Sequence, residues 1–256
     1  MSPLSRERLV VGLAPDRLDA VRLGFWRRRR LAERSVPLAP SAAGPPWQAG
    51  IEALELLLDE PDWQARTLSV ALSSHYVRYA VLPRGKQLAL GEQDDLARVI
   101  FRKLFGELAS AWEFRISPGD GDLALASAVP TALLAALRTA CEGRAMLGSV
   151  QPGLMSIFNR VRPAIGGQDG TLALVEPGRI TLATLGDGGW QAVSSRAWEP
   201  AALPGLLAEA EALADGPAGG RLWLCDLSGQ AVAPEPPAWR VERLLSGPAL
   251  HAWGLN

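Results

Sequence analysis

The most constraining feature of this sequence is a pattern that occurs three times, in which an apolar strand, a tight turn and a second apolar strand follow one another. The copies have equal length and occupy residues 9–24, 68–83 and 171–186. Each first strand is almost continuously apolar, which is typical of a central strand covered on both faces. The second strands alternate more between apolar and polar residues, as strands near a sheet edge do. We predict a β-hairpin from each copy.

The residues between the paired strands support this prediction because they reverse a chain at low cost. The three turns read Pro15-Asp16-Arg17, Ser74-His75-Tyr76 and Pro177-Gly178-Arg179. An alternative interpretation is that any α/β protein contains such hairpins by chance.

Apolar residues with helical spacing separate the predicted hairpins. This spacing predicts amphipathic helices at residues 47–58, 94–112, 131–141, 153–161 and 203–214. Further strands are predicted at residues 25–37, 112–116, 123–129, 221–227 and 239–244. Hairpins that alternate with helices indicate an α/β fold with mixed sheets opened by hairpins and covered by helices. The glycine-rich segment 165–170 suggests a boundary between an N-terminal lobe, 1–165, with two hairpin-led units, and a C-terminal lobe, 166–256.

Composition narrows the classes of partner. The chain has 26 basic and 27 acidic residues, a net charge of −1 and 48% hydrophobic residues, as in ordinary globular proteins. No stretch approaches 18 uninterrupted apolar residues, so we expect no direct membrane insertion and a cytoplasmic location. The arginine run from Arg27 to Arg30 is interpreted as a solvated strand or a contact with an acidic partner, rather than as a nucleic-acid site.

Known catalytic motifs are missing from the sequence. It contains no GxxxxGK(S/T), GxGxxG, HExxH or GxSxG string and no pair of CxxC knuckles. Its two cysteines, Cys141 and Cys225, are far apart and are predicted to be buried free thiols. We therefore predict no metal site and no motif-based catalytic centre. The nine tryptophans are spread along the chain, and most are predicted to lie in the core.

The layout of these elements resembles the duplicated, two-lobed fold of actin-like (ribonuclease-H-like) ATPases. Among them, it resembles PilM and the cytoplasmic part of GspL, from the assembly platforms of type IV pili and type II secretion. The features concerned are the segments 9–24 and 68–83, Leu104-Phe105-Gly106-Glu107 before Trp112-Glu113-Phe114-Arg115, and Ser149-Val150-Gln151-Pro152-Gly153-Leu154-Met155.

The resemblance implies an ATP cleft between the lobes. It also identifies five residues as candidate positions of a vestigial nucleotide site. In active members, two turns bring backbone N–H groups to the phosphates, and acids at strand ends hold magnesium through water. The corresponding positions here are Asp16 in the first turn, Glu176 and Gly178 in the third, and Asp226 and Gly229 after a late strand.

Each of these positions departs from the active pattern. The first turn has no acid at the strand end, and both turns contain proline, which lacks an N–H group. Gln230 stands where a second glycine is expected. We therefore expect a pseudo-ATPase without a bound cofactor, although Mg²⁺ and ATP remain an open alternative.

The implied function is that of a cytoplasmic scaffold in a type IV pilus or type II secretion-like machine. Its implied partner is the cytoplasmic tail of a bitopic inner-membrane protein of the PilN kind, which would also place the chain at the inner membrane. The alternative is an active ATP-dependent enzyme of the same fold, a kinase or ATPase that uses Glu176 or Asp226. The two acids are alternatively interpreted as solvated residues of loops at strand ends. A third possible function is that of an unrelated α/β interaction protein.

Overall fold

The computed structural model describes residues 7–24, 29–39, 44–83, 90–117, 122–213, 220–229 and 239–247. The chain separates into two compact units. The first contains the described residues of Met1–Tyr76 and Thr131–Arg160, and the second those of Val77–Pro130 and Val161–Pro248. The segment 77–130 thus groups with the second half of the chain, whereas the sequence suggested one boundary after residue 165.

The strands are β1 (Arg8–Leu13), β2 (Arg17–Leu23), β3 (Arg30–Pro37), β4 (Thr67–Leu72), β5 (Arg78–Pro83), β6 (Trp112–Ile116), β7 (Leu123–Pro130), β8 (Met146–Pro152), β9 (Gly170–Glu176), β10 (Arg179–Gly186), β11 (Gly189–Ala197), β12 (Arg221–Asp226) and β13 (Arg240–Ser246). The α-helices are α1 (Gln48–Asp59), α2 (Leu90–Phe105), α3 (Thr131–Cys141), α4 (Gly153–Ile165) and α5 (Leu203–Leu213).

The first unit is built on a five-stranded mixed sheet with the order β3-β2-β1-β4-β8. β1 and β2 form the predicted hairpin, with Leu13 opposite Leu18. β4 runs parallel to both β1 and β8, and it is almost entirely buried because both of its edges and both of its faces are covered. α1 contacts β2, and α3 contacts β8 and α1.

The second predicted hairpin, over residues 68–83, is wrong. β4 and β5 follow each other closely in sequence, but they lie in different sheets, and β5 pairs with β7. The physical reason is that β4 already has parallel neighbours on both edges, so no backbone donors or acceptors remain for β5. The turn after β4 therefore leads from the first unit into the second.

The second unit contains two sheets. β5, β7 and β6 form an antiparallel sheet whose apolar face packs under α2, around Phe101. The other sheet has the order β11-β10-β9-β12-β13, in which the third predicted hairpin, β9–β10, is confirmed. α5 covers one of its faces through Leu203 and Leu207. Strand β11 also contacts β5 and β7.

Most of the remaining predicted elements are confirmed, and the predicted α/β class with mixed sheets is confirmed with them. All five predicted helices exist, and all five further predicted strands exist, although β3 begins at Arg30.

Of the nine tryptophans, Trp63, Trp190, Trp198 and Trp223 are buried. Trp47, Trp112 and Trp239 are partly exposed, and Trp26 and Trp253 lie outside the described residues. Within the described residues, every helix is too short or too polar to cross a lipid bilayer.

Candidate functional site

The first candidate position is the turn between β1 and β2. The Ala14 amide donates to the Arg17 carbonyl at 3.0 Å, and Pro15 has no N–H group. Asp16 exposes about half of its side chain, 3.8 Å from the Arg17 guanidinium. The turn therefore offers few free backbone donors, and it carries a carboxylate that repels anions.

The buried acid of this hairpin is Asp19, which lies on β2 opposite Gly12 of β1. Its carboxylate accepts hydrogen bonds from Arg17 Nε at 3.1 Å and from the Ser35 hydroxyl at 2.6 Å. Only 2% of Asp19 is exposed. This carboxylate is thus engaged in joining β2 to β3.

The loop after β4 begins with two buried hydroxyl residues, Ser73 and Ser74. The Ser73 amide continues the ladder by donating to the Leu13 carbonyl at 2.9 Å. The Ser73 hydroxyl accepts from the His75 amide at 3.2 Å, and its carbonyl accepts from the Tyr76 amide at 2.9 Å. These bonds hold the loop in a tight turn.

The third turn brings Glu176 and Gly178 together at the tip of the β9–β10 hairpin. Gly178 has φ +70°, and proline before a glycine with positive φ is the sequence that a type II turn favours. The Gly178 carbonyl accepts from the Trp198 amide at 3.1 Å. Glu176 is only 1% exposed, so it is not a solvated loop acid.

Glu176 lies directly opposite Arg179 in the hairpin. Burial lowers the pKa of the Arg179 guanidinium, as does the positive charge of Arg78, whereas the negative charge of Glu176 raises it. Arg179 donates to the Ser195 hydroxyl at 3.2 Å, and the Thr181 hydroxyl donates to the same oxygen at 2.9 Å. A partly buried polar cluster therefore extends from the turn across β10 to β11.

Asp226 and Gly229 lie at the end of β12. Asp226 is 6% exposed, and one of its oxygens accepts from both the amide and the hydroxyl of Ser228, at 2.9 and 2.6 Å. Gly229 is exposed and has φ +67°, a conformation that favours glycine. The carboxylate of Asp226 thus stabilises the turn that leads to this glycine.

Glu176 and Asp226 end neighbouring parallel strands, but they point to opposite faces of the sheet. Asp226 is in register with Val175, and side chains in register share a face. Glu176 is one residue further along, so it projects from the other face. Asp226 therefore lies on the side covered by α5, and Glu176 on the side of Thr181 and Arg179.

Four of the candidates, Glu176, Gly178, Asp226 and Gly229, thus belong to the second unit, at the same end of one sheet, and Asp16 belongs to the first. Asp19 and Arg179 were not predicted from the sequence as candidate site residues. An acid within an alternating strand was the available signal for Asp19, whereas the burial of Arg179 depends on packing that the sequence does not show. Among the residues that the structure describes, no cluster of three His, Cys, Asp or Glu side chains has the geometry to hold a metal ion.

No protein-family model matches the chain, and no curated protein matches its sequence. Solved structures are similar in fold. The cytoplasmic domain of EpsL, an inner-membrane component of the type II secretion system of Vibrio cholerae, superposes with a TM-score of 0.65 at 16% identity, over 96% of this chain and 92% of that one. This likeness therefore spans nearly the whole of both chains.

Two further structures have the same fold. A Bacteroides thetaiotaomicron protein of unknown function with an actin-like ATPase fold gives a TM-score of 0.60 at 12% identity, over 86% of this chain and 82% of that one. The PilM–PilN type IV pilus biogenesis complex gives 0.57 at 15% identity, over 87% and 82%. The chain therefore has the actin-like ATPase fold, as its resemblance to PilM and GspL implied.

Proposed function

We propose that this protein is a cytoplasmic scaffold in the assembly platform of a type IV pilus or type II secretion-like machine, and that it is a pseudo-ATPase. The observation that carries the proposal is the likeness to the EpsL cytoplasmic domain over 96% of the chain. Neighbours of the same fold belong to both kinds of machine.

The chemistry of the β1–β2 turn and of the β9–β10 turn supports the absence of nucleotide binding. A triphosphate needs several backbone N–H groups within hydrogen-bond reach. Pro15 and Pro177 have none, and the Ala14 amide is used inside its own hairpin. The exposed carboxylate of Asp16 adds repulsion at the first turn.

The proposed partner is the cytoplasmic tail of a bitopic inner-membrane protein of the PilN kind. Support comes from the PilM–PilN complex, a structural neighbour in which a PilM protein is bound to PilN. The composition fits a protein surface rather than nucleic acid, because the net charge is −1. Binding such a tail would hold this chain at the inner membrane without any insertion of its own.

A nucleotide titration tests the pseudo-ATPase part of the proposal. We expect calorimetry with millimolar Mg²⁺-ATP to give no saturable heat, and the melting temperature to stay constant, because a ligand that binds the native state must raise it. Saturable binding that Glu176→Ala abolishes would overturn the proposal in favour of an active kinase or ATPase. The burial of Glu176 and Asp226 at strand ends is the feature that favours that second candidate.

Tail binding requires a separate experiment. The probe is a synthetic peptide of the cytoplasmic tail of a PilN-like bitopic membrane protein from the organism that encodes this chain, and the matched control is the same peptide with its residues scrambled. We expect saturable binding of the native tail only. Equal binding of both peptides, or of neither, would contradict the scaffold role whatever the nucleotide titration gives.

A further inference from the structure

A groove lies between α2 and β6 in the second unit, with a volume of about 550 Å³. Its floor is aromatic, formed by Trp112 and Phe114 of β6, which pack against Phe105 and Phe101 of α2. One wall is the side of α2 that carries Val99, which is 64% exposed. The groove is therefore apolar at its base and open to solvent.

The strand beside this groove has a free backbone edge. β6 is the outer strand of its sheet among the described strands, with β7 on its other side. The Ser117 amide donates to the Leu125 carbonyl at 2.8 Å, which makes this pair a hydrogen-bonded one. Because such pairs alternate in an antiparallel ladder, the N–H and C=O groups of residues 112, 114 and 116 point away from β7.

Within the described part of the chain, the free edge is only weakly occupied. The Phe114 carbonyl accepts a hydrogen bond at 2.8 Å from the guanidinium of Arg115, whose side chain is 78% exposed. A charged residue on an edge strand commonly prevents uncontrolled pairing with other strands. An incoming strand has to displace one exposed side chain, which costs little.

The rim of the groove is positively charged. Arg98, Arg102 and Lys103 line it, all three exposed. Arg102 has a loose ion pair with Glu107 at 3.8 Å, whereas Arg98 and Lys103 have none among the described residues. Lys103 and Arg102 also lie in the last turn of α2, where cations favour the helix dipole. That stabilisation explains their presence at the helix end, but it does not account for Arg98.

We propose that the groove binds an extended acidic segment of a partner protein, which adds to the sheet as a strand beside β6. Backbone hydrogen bonds to the free edge supply the pairing. Alternate side chains of the segment point towards α2, where carboxylates meet the cationic rim and one branched apolar side chain covers Val99 and Phe114. The groove shares no residue with the turns that carry the candidate nucleotide positions.

The probe is the peptide acetyl-Thr-Asp-Thr-Ile-Thr-Glu-Thr-amide, which places its two acids and its isoleucine on one face when it is extended. We expect saturable binding by calorimetry, and slower amide exchange at Phe114 and Ile116 in the complex. A peptide of the same composition in which Asp, Ile and Glu are adjacent is the matched control, because it cannot present all three on one face. Equal binding of the two peptides would overturn the proposal.

Two sets of N-methylated peptides test strand addition itself. One set blocks the amides of the Asp, Ile and Glu residues and the other blocks those of the threonines. Only one set of amides faces β6 in an added strand, so one set of methylations should abolish binding and the other should leave it within about twofold. If both sets bind equally, or neither binds while the parent peptide does, the segment is not added as a strand and the proposal fails.

Charge-reversal variants test whether the cationic rim of the groove binds the acidic peptide. We expect Arg98→Glu with Lys103→Glu to weaken binding about tenfold, since each exposed pair contributes modestly and the new acids repel the peptide. Arg66→Glu is the control, because Arg66 is exposed in the first unit. If the double variant binds the peptide as well as the control does, or if a single-stranded oligonucleotide binds in the peptide's place with the same dependence on Arg98, the proposal is wrong.

Discussion

Arg144 and Asp59 form a bidentate ion pair that joins the turn after α3 to the end of α1. Arg144 Nε lies 2.6 Å from Asp59 Oδ1, and a terminal nitrogen of the same guanidinium lies 3.2 Å from Oδ2. Asp59 is the last residue of α1, where a negative charge is opposed by the helix dipole. The arginine offsets this unfavourable interaction while it links two helices that are distant in sequence.

This pair predicts a specific response to acid. The hydrogen bond from Arg144 holds the pKa of Asp59 below its ordinary value of 3.8. A carboxylate with a lowered pKa stabilises the fold above its unfolded pKa, and this stabilisation is lost as pH falls through the folded pKa. We therefore expect Asp59→Asn to be less stable than the natural chain at pH 7 and to lose less stability below about pH 4. Urea denaturation at several pH values measures this, and parallel pH profiles would contradict the role of the pair.

The buried carboxylate of Asp19 gives a larger effect. Asp19→Ala removes one partner of Arg17, whose side chain is only 11% exposed, and it removes the acceptor of the Ser35 hydroxyl. We expect a loss of about 3 kcal/mol in the free energy of unfolding. Ser35→Ala is the matched control and should cost about 1–2 kcal/mol, because it removes one hydrogen bond to a charged group. Equal losses in the two variants would show that the ion pair with Arg17 contributes nothing.

Local patterns in the sequence predicted the helices and two of the three hairpins, because these elements form between residues that are close in the chain. α3 has the predicted bounds, and the hairpins β1–β2 and β9–β10 are present. The predicted helix over 94–112 is instead α2, which starts earlier and ends at Phe105, followed by a 3₁₀ turn. Gly106, with φ +66°, is the cause, since a left-handed glycine ends a helix.

Pairing between strands was less predictable because it depends on which edges remain free. The residues of β5 alternate as an edge strand does, and the sequence does not reveal that β4 has two parallel neighbours. β8 and β11 were missed, since β8 is half-exposed without a clear apolar alternation and β11 carries several polar residues. For the candidate site, Glu176 and Asp226 were correctly placed at strand ends. Their opposite faces depend on a register between β9 and β12 that the sequence does not encode locally.

Gly170 is expected to tolerate no side chain. A Cβ atom there would lie 2.7 Å from the Arg221 carbonyl oxygen and 2.8 Å from the ring of Trp223, which is fully buried. Neither neighbour is the flexible end of a side chain, so we expect Gly170→Ala to lower the free energy of unfolding by about 1–3 kcal/mol. Gly205→Ala in α5 is the control, because its Cβ meets no atom within 4 Å, and it should stabilise the fold by about 0.5–1 kcal/mol. A destabilisation by Gly205→Ala as large as that by Gly170→Ala would rule out the close approach as the cause.

The two cysteines should be unreactive in the folded chain. Cys141 is 4% exposed and Cys225 is fully buried, and burial raises the pKa of the Cys141 thiol. Because the thiolate is the reactive form, Ellman's reagent should modify neither residue without denaturant and both in concentrated urea. Fast modification of one thiol in buffer would show that its strand or helix opens readily, and Cys141→Ser and Cys225→Ser would identify which.

The pair of Glu176 and Arg179 provides a test of whether Glu176 has a structural or a catalytic role. They lie opposite each other in the hairpin, the glutamate is 1% exposed, and Arg179 Nε has no acceptor among the described residues. If Glu176 serves chiefly to balance the partly buried guanidinium, Glu176→Gln should cost about 2–4 kcal/mol in the free energy of unfolding. Residues kept for catalysis tend to cost stability, so an active-site glutamate would give a neutral or stabilising change instead.

A double-mutant cycle with Arg179→Met completes this test. Methionine keeps much of the length of the side chain but removes the charge that Glu176 balances, so the double variant should be destabilised by clearly less than the sum of the two single changes. We expect a coupling of about 1–3 kcal/mol, measured by urea denaturation. Additive losses would mean that Glu176 does not act through Arg179. A stabilising Glu176→Gln together with saturable Mg²⁺-ATP binding would instead favour an active nucleotide site, because the buried glutamate would then be held at a cost to the fold.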